Sequence, residues 1–258
     1  MSDESHNNIS AQLKALEESL LGAGQEHAKK ATRDLLVVQN RLYAQLESLS
    51  WLQRRLKIPG RLPRLRGWAT SPDVLLHLHE HVMAVKPRLV VEFGSGASSL
   101  VIADALRQNS FGKLVSIEHS DHYGGLTREA LRREHLDTWV GLRIGELEPW
   151  TGQHLGRQEG QEGEAMNWYP SRLLTDLEGI DMLVVDGPPG ATCQYARYPA
   201  LPAVADRLST DATIWMDDTI RQDEKDICES WSKDFAMTTE YFDYEEGLGI
   251  LRRSAGKG

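Results

Sequence analysis

The side chains best suited to chemistry are three carboxylates, Asp186, Asp217 and Asp218, each placed at the end of an apolar run. Ile180-Asp181-Met182-Leu183-Val184-Val185 precedes the first and Ala212-Thr213-Ile214-Trp215-Met216 precedes the pair. Runs of this kind read as strands of a sheet covered on both faces, so the acids arrive at neighbouring strand ends. Crowded carboxylates repel one another unless a cation or a proton intervenes. An all-oxygen ligand set favours a hard divalent ion, magnesium, manganese or calcium. The rival reading is a metal-free role for Asp186 as proton acceptor. Gly187-Pro188-Pro189-Gly190 after it reads as a rigid loop.

A second cluster is Gly94-Ser95-Gly96, between the apolar run 89–91 and a stretch of helical spacing over 98–106. Gly94 lets the chain turn sharply, Gly96 lets a ligand approach the backbone, and the amides that follow face that ligand at a helix N-terminus. Glu118 closes the next apolar run, 113–117, about twenty residues on, where a nucleotide-binding α/β unit places an acid on the ribose hydroxyls. A dinucleotide site wants a third glycine and a pyrophosphate; here Ser98 and Ser99 follow, and Glu92 stands just before the turn. That carboxylate would repel a pyrophosphate and suits a cationic, amino-acid-bearing nucleoside, which argues against an NAD-linked oxidoreductase.

At this point the chain resembles the class I S-adenosylmethionine-dependent methyltransferases, whose first motif is an acid followed by a Gly-x-Gly turn. The resemblance spans roughly residues 68–253. The fuller pattern, from Arg66-Gly67-Trp68 and Ser71-Pro72 through Asp186-Gly187-Pro188-Pro189-Gly190 to Arg197-Tyr198-Pro199-Ala200-Leu201, is similar to the bacterial methyltransferases of family 24. It implies an α/β fold, a Rossmann-like doubly wound, mainly parallel sheet that ends in an antiparallel strand pair, here 235–242 and 247–253. It implies S-adenosylmethionine as cofactor, held by Glu92, Gly94, Ser95, Gly96, Ser98, Ser99, Glu118, His119 and Asp186, with Glu146 facing the adenine. The metal-dependent O-methyltransferases hold their ion with an aspartate after the fourth strand and an Asp-Asn pair after the fifth, which points to Asp186, Asp217 and Asp218. Two departures stand out: Asp218 replaces the asparagine, and Pro189 stands where catechol-type enzymes carry a lysine base. The activity implied is methyl transfer to a hydroxyl on a sugar, a glycan or another polar metabolite, with Asp186 or His119 as base. The alternative is an adapter in which a helical arm docks a vestigial cofactor domain onto a partner.

The remaining chain supplies the setting. Of 258 residues, 1–57 form a helical arm, 58–67 a basic linker and 68–258 the methyltransferase domain. In the arm, Leu35, Val38, Leu42, Gln45, Leu49, Leu52 and Leu56 recur in steps of three and four, the seam of a coiled coil that would make a homo-oligomer or dock a partner, the rival being a helix folded back on the catalytic domain. An earlier stripe, Leu13, Leu16 and Leu20, is out of register, and Gly22 and Gly24 between the two predict a break. Arg54, Arg55, Lys57, Arg61, Arg64 and Arg66 read as a solvated basic run. The formal charge is −9, and from Trp68 onward 18 basic residues face 31 acidic ones, which excludes a phosphate-gripping nucleic-acid binder. No apolar run is long enough for a membrane span, no secretion signal is evident, and Cys193 and Cys228 lack metal spacing, so a cytoplasmic protein with reduced thiols is expected. His77-Leu78-His79-Glu80-His81 matches the H-x-x-E-H zinc-protease pattern, but in a helix feeding the first strand these read as surface histidines. The polar insert 148–172 is long for a connection and reads as a lid or a disordered insert, with Trp168-Tyr169-Pro170 either beside an acceptor pocket or simply packed.

Overall fold

The computed structural model describes residues 2–155 and 166–254, so residues 156–165 of the insert lie outside the described residues. The chain forms two compact units, Met1–Leu46 and Glu47–Gly258. The first is the greater part of one helix, α1 (Ser2–Arg55). It runs unbroken through Gly22 and Gly24, where a break was expected. A helical glycine costs about 1 kcal/mol against alanine, and the good helix formers on either side absorb that. Leu35, Val38 and Leu42 of the seam are 70%, 63% and 58% exposed, and Leu16 and Leu20 of the earlier stripe are also exposed. The side chain of Leu13 lies outside the described residues.

In the second unit, Leu52 near the end of α1 is fully buried against Val74, Leu75 and Leu78 of α2 (Pro72–Val85). The basic segment that follows keeps its six basic side chains exposed, as expected of a solvated run, while its backbone is pinned. Lys57 N donates to Asp104 Oδ2 at 3.0 Å, Gly60 N donates to Glu134 Oε2 at 2.7 Å, and Arg107 Nη2 donates to the Lys57 carbonyl at 2.7 Å. Both acids are wholly buried, so the segment's backbone supplies donors they require. Leu56, Leu62 and Leu65 alternate with the basic residues and pack on the core.

Seven strands make one sheet: β1 (Leu89–Phe93), β2 (Lys113–Glu118), β3 (Val140–Ile144), β6 (Ile180–Val185), β7 (Leu208–Asp217), β8 (Met237–Phe242) and β9 (Leu248–Arg253). Their order is β3-β2-β1-β6-β7-β9-β8, and β4 (Glu148–Pro149) and β5 (Asn167–Trp168) form a separate ribbon. Strand β1 pairs in parallel with β2 and β6, placing Val91 between Val115 and Leu183. Strand β9 runs antiparallel to both β7 and β8, which is the reversed terminal pair expected. Helices α3 (Ala97–Asn109), α4 (Asp121–Arg133) and α5 (Gln222–Asp234) complete the layers.

The two faces bury separate cores, as alternation along each strand requires. Val91, Phe93, Leu183 and Val185 face Trp168, Tyr169 and Trp231 on one side. Val90, Met182, Val184 and Trp215 face α2 and α3 on the other. This second face claims the histidines. The rings of His77 and His81 lie 4.8 and 4.9 Å from that of Trp215, and His79 is buried with Nε2 3.7 Å from Asp104 Oδ2. They are packing groups instead of surface histidines, and burial, reinforced by neighbouring His77, pushes His81 down to about 4. The order of the parallel strands reverses between β1 and β6, and the crevice at their carboxyl ends is where an open α/β sheet binds ligands.

Candidate active site

The turn after β1 is built tightly. Gly94 has φ +90°, and a Cβ there would lie 2.7 Å from the Asp186 carbonyl oxygen, so glycine is required both for its conformation and for the closeness of β6. Asp186 N in turn donates to the Phe93 carbonyl at 2.9 Å. At Gly96 a Cβ would meet nothing within 4 Å, so open space lies above the start of α3.

Glu92 lies beneath this turn, fully buried. Its Oε2 accepts from Ser99 Oγ at 2.5 Å and Ser116 Oγ at 2.6 Å, and Ser99 Oγ accepts from Gly96 N at 3.1 Å. Burial raises the Glu92 carboxyl to about 7, against the pull of the hydroxyls of Ser116, Ser98 and Ser99. Ser98 and Ser99 are buried as well, so their side chains brace the turn from inside and only their amides are left for a ligand. Glu92 Oε1 has no hydrogen-bond partner among the described residues.

Glu118 ends β2 beside the turn. Its Oε2 accepts from Ser95 N at 2.9 Å with Ser95 Oγ 3.0 Å away, and its Oε1 accepts from Ser120 N at 2.8 Å. Burial pushes this carboxyl up, but bonds from His119, Ser120 and Ser95 outweigh it and hold the group below its ordinary range. His119 Nδ1 sits 3.1 Å from Glu118 Oε1, and its ring meets the edge of Tyr169 at 6.2 Å. Glu146 is exposed on the loop after β3, which Gly145 N ties to the Glu118 carbonyl at 3.0 Å.

Asp186, Asp217 and Asp218 do converge, on a cavity of about 460 Å³. Trp68, Thr70, Arg197, Arg221, Glu224 and Glu246 also line it. Gly94, Gly96 and Glu118 do not, while Asp186 both packs against the Gly94 turn and lines the cavity. Its Oδ2 accepts from Thr70 Oγ1 at 2.9 Å and its Oδ1 from Arg197 Nη2 at 3.2 Å. Burial raises Asp186 to about 6, with Arg197 opposing and Asp218 adding to the rise. Asp217 is raised well above its ordinary range by burial, then by Asp186 and Asp218. Its Oδ1 accepts from Asp218 N at 2.9 Å.

The metal expectation meets a different arrangement. Arg197, 3% exposed, sets Nη2 2.7 Å from Asp218 Oδ2 and 3.2 Å from Asp186 Oδ1, and donates Nη1 to the Asp217 carbonyl at 3.1 Å. Among the described residues no group of three or more His, Cys, Asp or Glu side chains is disposed to hold a metal ion. A dication needs converging oxygens at about 2.0–2.6 Å, and here those oxygens converge on a guanidinium. The residues therefore do not fit a resident divalent ion.

Arg197 and Thr70 were not among the residues the sequence singled out as site residues. Arg197 lies in a segment of short 3-10 turns with no periodicity to aim it, although the Arg-Tyr-Pro run containing it belongs to the family pattern. Of the two readings for Trp168 and Tyr169, an acceptor pocket or simple packing, the structure has packing: Tyr169 is stacked on Phe93 at 5.2 Å, buried, with a hydroxyl that lacks a partner among the described residues.

A family model described as a methyltransferase domain, of family 24, matches residues 91–219, half of the chain and every strand end just described. The chain belongs to methyltransferase family 24. As a member it is a class I, S-adenosylmethionine-dependent methyltransferase. No curated protein matches the sequence of this methyltransferase. Solved structures share its fold at low identity. A methyltransferase from Podospora anserina bound to S-adenosylhomocysteine is 16% identical, covers 82% of this chain and 88% of its own, and has a TM-score of 0.56. An O-methyltransferase of tomaymycin synthesis from Streptomyces achromogenes, in complex with S-adenosylmethionine, is 14% identical, covers 84% and 96%, and scores 0.55. An O-methyltransferase from Bacillus cereus, complexed with S-adenosylhomocysteine, is 16% identical, covers 74% and 84%, and scores 0.54. Among the described residues no helix is long and apolar enough to cross a membrane.

Proposed function

We propose that this methyltransferase transfers the methyl group of S-adenosylmethionine to a hydroxyl oxygen of a polar acceptor, such as a sugar or glycan, bound in the cavity at Asp186. The observation that carries the reading is the double contact of Asp186. Its backbone is packed on Gly94, and its carboxylate lines the cavity. The cofactor would lie over Gly94, Ser95 and Gly96, where the space above Gly96 admits it, with Glu118 toward its ribose hydroxyls and Glu146 toward its adenine. Glu118 Oε2 accepts from both Ser95 N and Ser95 Oγ, so a ribose hydroxyl would take the place of the Ser95 hydroxyl there. The amides after Gly96 suit the cofactor's amino-acid end, with Glu92 bracing the turn from beneath.

When bound, the cofactor supplies an activated methyl group, whose bond to sulfur breaks as the acceptor oxygen bonds to carbon, leaving a neutral thioether. The protein's share is to hold the acceptor and take its proton. Asp186 is placed to take the proton, because Thr70 and Arg197 fix its carboxylate and a value of about 6 leaves it mostly ionised yet basic at neutral pH. His119 is the weaker candidate, since it faces Glu118 and Tyr169 and is not part of the cavity wall. The polar wall suits a hydroxyl-rich acceptor, and Trp68, 77% exposed, offers an aromatic face for a sugar ring.

Two further readings belong to this proposal. The exposed Leu35, Val38 and Leu42 support self-association through α1, and two cysteines, too few for a disulfide framework, suit the cytoplasm. Calorimetry with S-adenosylmethionine tests the proposed function. Binding by the intact protein that is lost in Gly96→Arg and Glu118→Ala, followed by methyl incorporation into pooled sugars and glycans, is expected. Absence of binding would leave the adapter as the better reading.

A further inference from the structure

Asp186, Asp217 and Asp218 are three acids at adjoining strand ends, and the structure already contains a buried cation shared by the carboxylates of Asp186 and Asp218. Arg197 directs its donors at four oxygens: Asp186 Oδ1, Asp218 Oδ2, the Asp217 carbonyl and, from Nε at 3.4 Å, the Pro188 carbonyl. We infer that Arg197 is the built-in cation of this acceptor site, standing where a divalent ion would otherwise be held and positioning Asp186 toward the acceptor. The role as cation rests on geometry alone; the role in positioning rests on the function proposed above.

Of the two departures from the metal-binding pattern, Asp218 is a direct contact of this side chain and Pro189 adjoins one. Asp218 in place of asparagine supplies a second full negative charge, and a guanidinium is stabilised by carboxylates on two sides more than by an amide. Its backbone has φ 64°, a left-handed conformation that aspartate tolerates, and Arg221 Nη1 also lies 3.1 Å from Asp218 Oδ2. Pro189 stands in the loop whose Pro188 carbonyl accepts from Arg197. With a guanidinium fixed in the wall, the charge that a loosely held ion would bring is present before any ligand arrives. Arg197 holds one oxygen of Asp186 while Thr70 holds the other, so the carboxylate's orientation is set from both sides. Arg197 is thus a positioning residue, acting through Asp186.

The test uses Mn2+ as the probe. Full-length protein is stripped with chelator, freed of it and titrated with Mn2+, with bound ion followed by electron paramagnetic resonance. The wild type is expected to take up no ion here, whereas Arg197→Ala, its acids deprived of that cation, takes up about one per chain at oxygen ligands, and adding Asp217→Asn removes that uptake. If Arg197→Ala does not fold, Arg197→Gln, which keeps much of the shape and removes the charge, is titrated instead. Wild-type uptake that disappears in Asp217→Asn overturns the inference, and so does a folded charge-removed variant that still refuses the ion. A parallel titration of the wild type with S-adenosylmethionine separates the two roles. Cofactor binding together with Asp217-dependent Mn2+ uptake keeps the function and removes the built-in cation. Absence of cofactor binding removes the function, and the Mn2+ result still decides the role of Arg197's charge.

Discussion

Gly94 and Asp186 meet through their backbones, so the turn that would carry the cofactor and the acid that would receive the proton form one rigid junction between β1 and β6. Gly94→Ala would have to hold φ +90° with its methyl 2.7 Å from a carbonyl oxygen, so the expected loss is about 1–3 kcal/mol or more. Gly96→Ala enters open space with no such strain, so it should melt like the wild type while binding S-adenosylmethionine more weakly. Thermal melts and calorimetry on both variants check this. A Gly96→Ala less stable than Gly94→Ala would be the wrong order.

Glu92 gives the stability a pH dependence with a definite sign. Its carboxyl is raised from 4.5 to about 7, chiefly by burial, so between those values the folded protein holds a proton that the unfolded chain releases. The associated stability is complete below about 4.5 and is lost as pH rises through 7. Glu92→Gln removes this titration. Its stability relative to wild type should improve by roughly 3 kcal/mol across that window, read from urea melts at several pH values. A pH-independent difference between the two proteins would count against it.

Asp186 should set the acid limb of the rate profile. With its carboxyl at about 6, turnover should fall as pH drops through that value, because the protonated form accepts nothing. Asp186→Asn should lower kcat by about 10²–10⁴-fold and abolish the limb while leaving S-adenosylmethionine affinity nearly unchanged. Survival of the limb in His119→Gln would agree with the assignment; its transfer to His119 would not.

Asp104 reports how firmly the basic segment is held. This wholly buried acid accepts from Lys57 N and from Gln108 Nε2 at 2.7 Å and pairs with Arg107 at 2.5 Å. Asp104→Ala leaves those donors unpaired, and a loss of about 3–5 kcal/mol is expected by analogy with broken buried pairs. Amide exchange at Lys57 should rise by more than it does in distant strands. A variant of unchanged stability would mean that the segment is only loosely attached.

For the helical arm, Val38→Glu with Leu42→Glu places two charges on exposed apolar seam positions. Light scattering should show an oligomeric wild type and a smaller species for the double variant, with helix content and cofactor binding preserved. A monomeric wild type would end the pairing idea.

Features that depend on residues close in the chain were legible before any partner was known. The apolar run 89–91 became β1, Glu118 stands at the end of β2 about twenty residues beyond the glycine turn, as the spacing required, and the terminal pair β8 and β9 is reversed. Alternation and turn chemistry are local, so they survive without knowledge of what packs against them. Contacts across the sheet had to wait for the folded chain. Glu92 faced a ligand in the sequence and lies inside the turn in the fold, because β1 is covered on both sides and its penultimate side chain has nowhere else to go. His77 and His81 were surface residues until α2 laid them on Trp215. Gly22 and Gly24 did not break a helix whose flanking residues favour it. Arg197 is the clearest case: eleven residues after Asp186, in a run of short turns, its direction is set by packing alone. A long, flexible cation goes where several buried acids place the lowest potential, and that place exists only once β6 and β7 stand side by side.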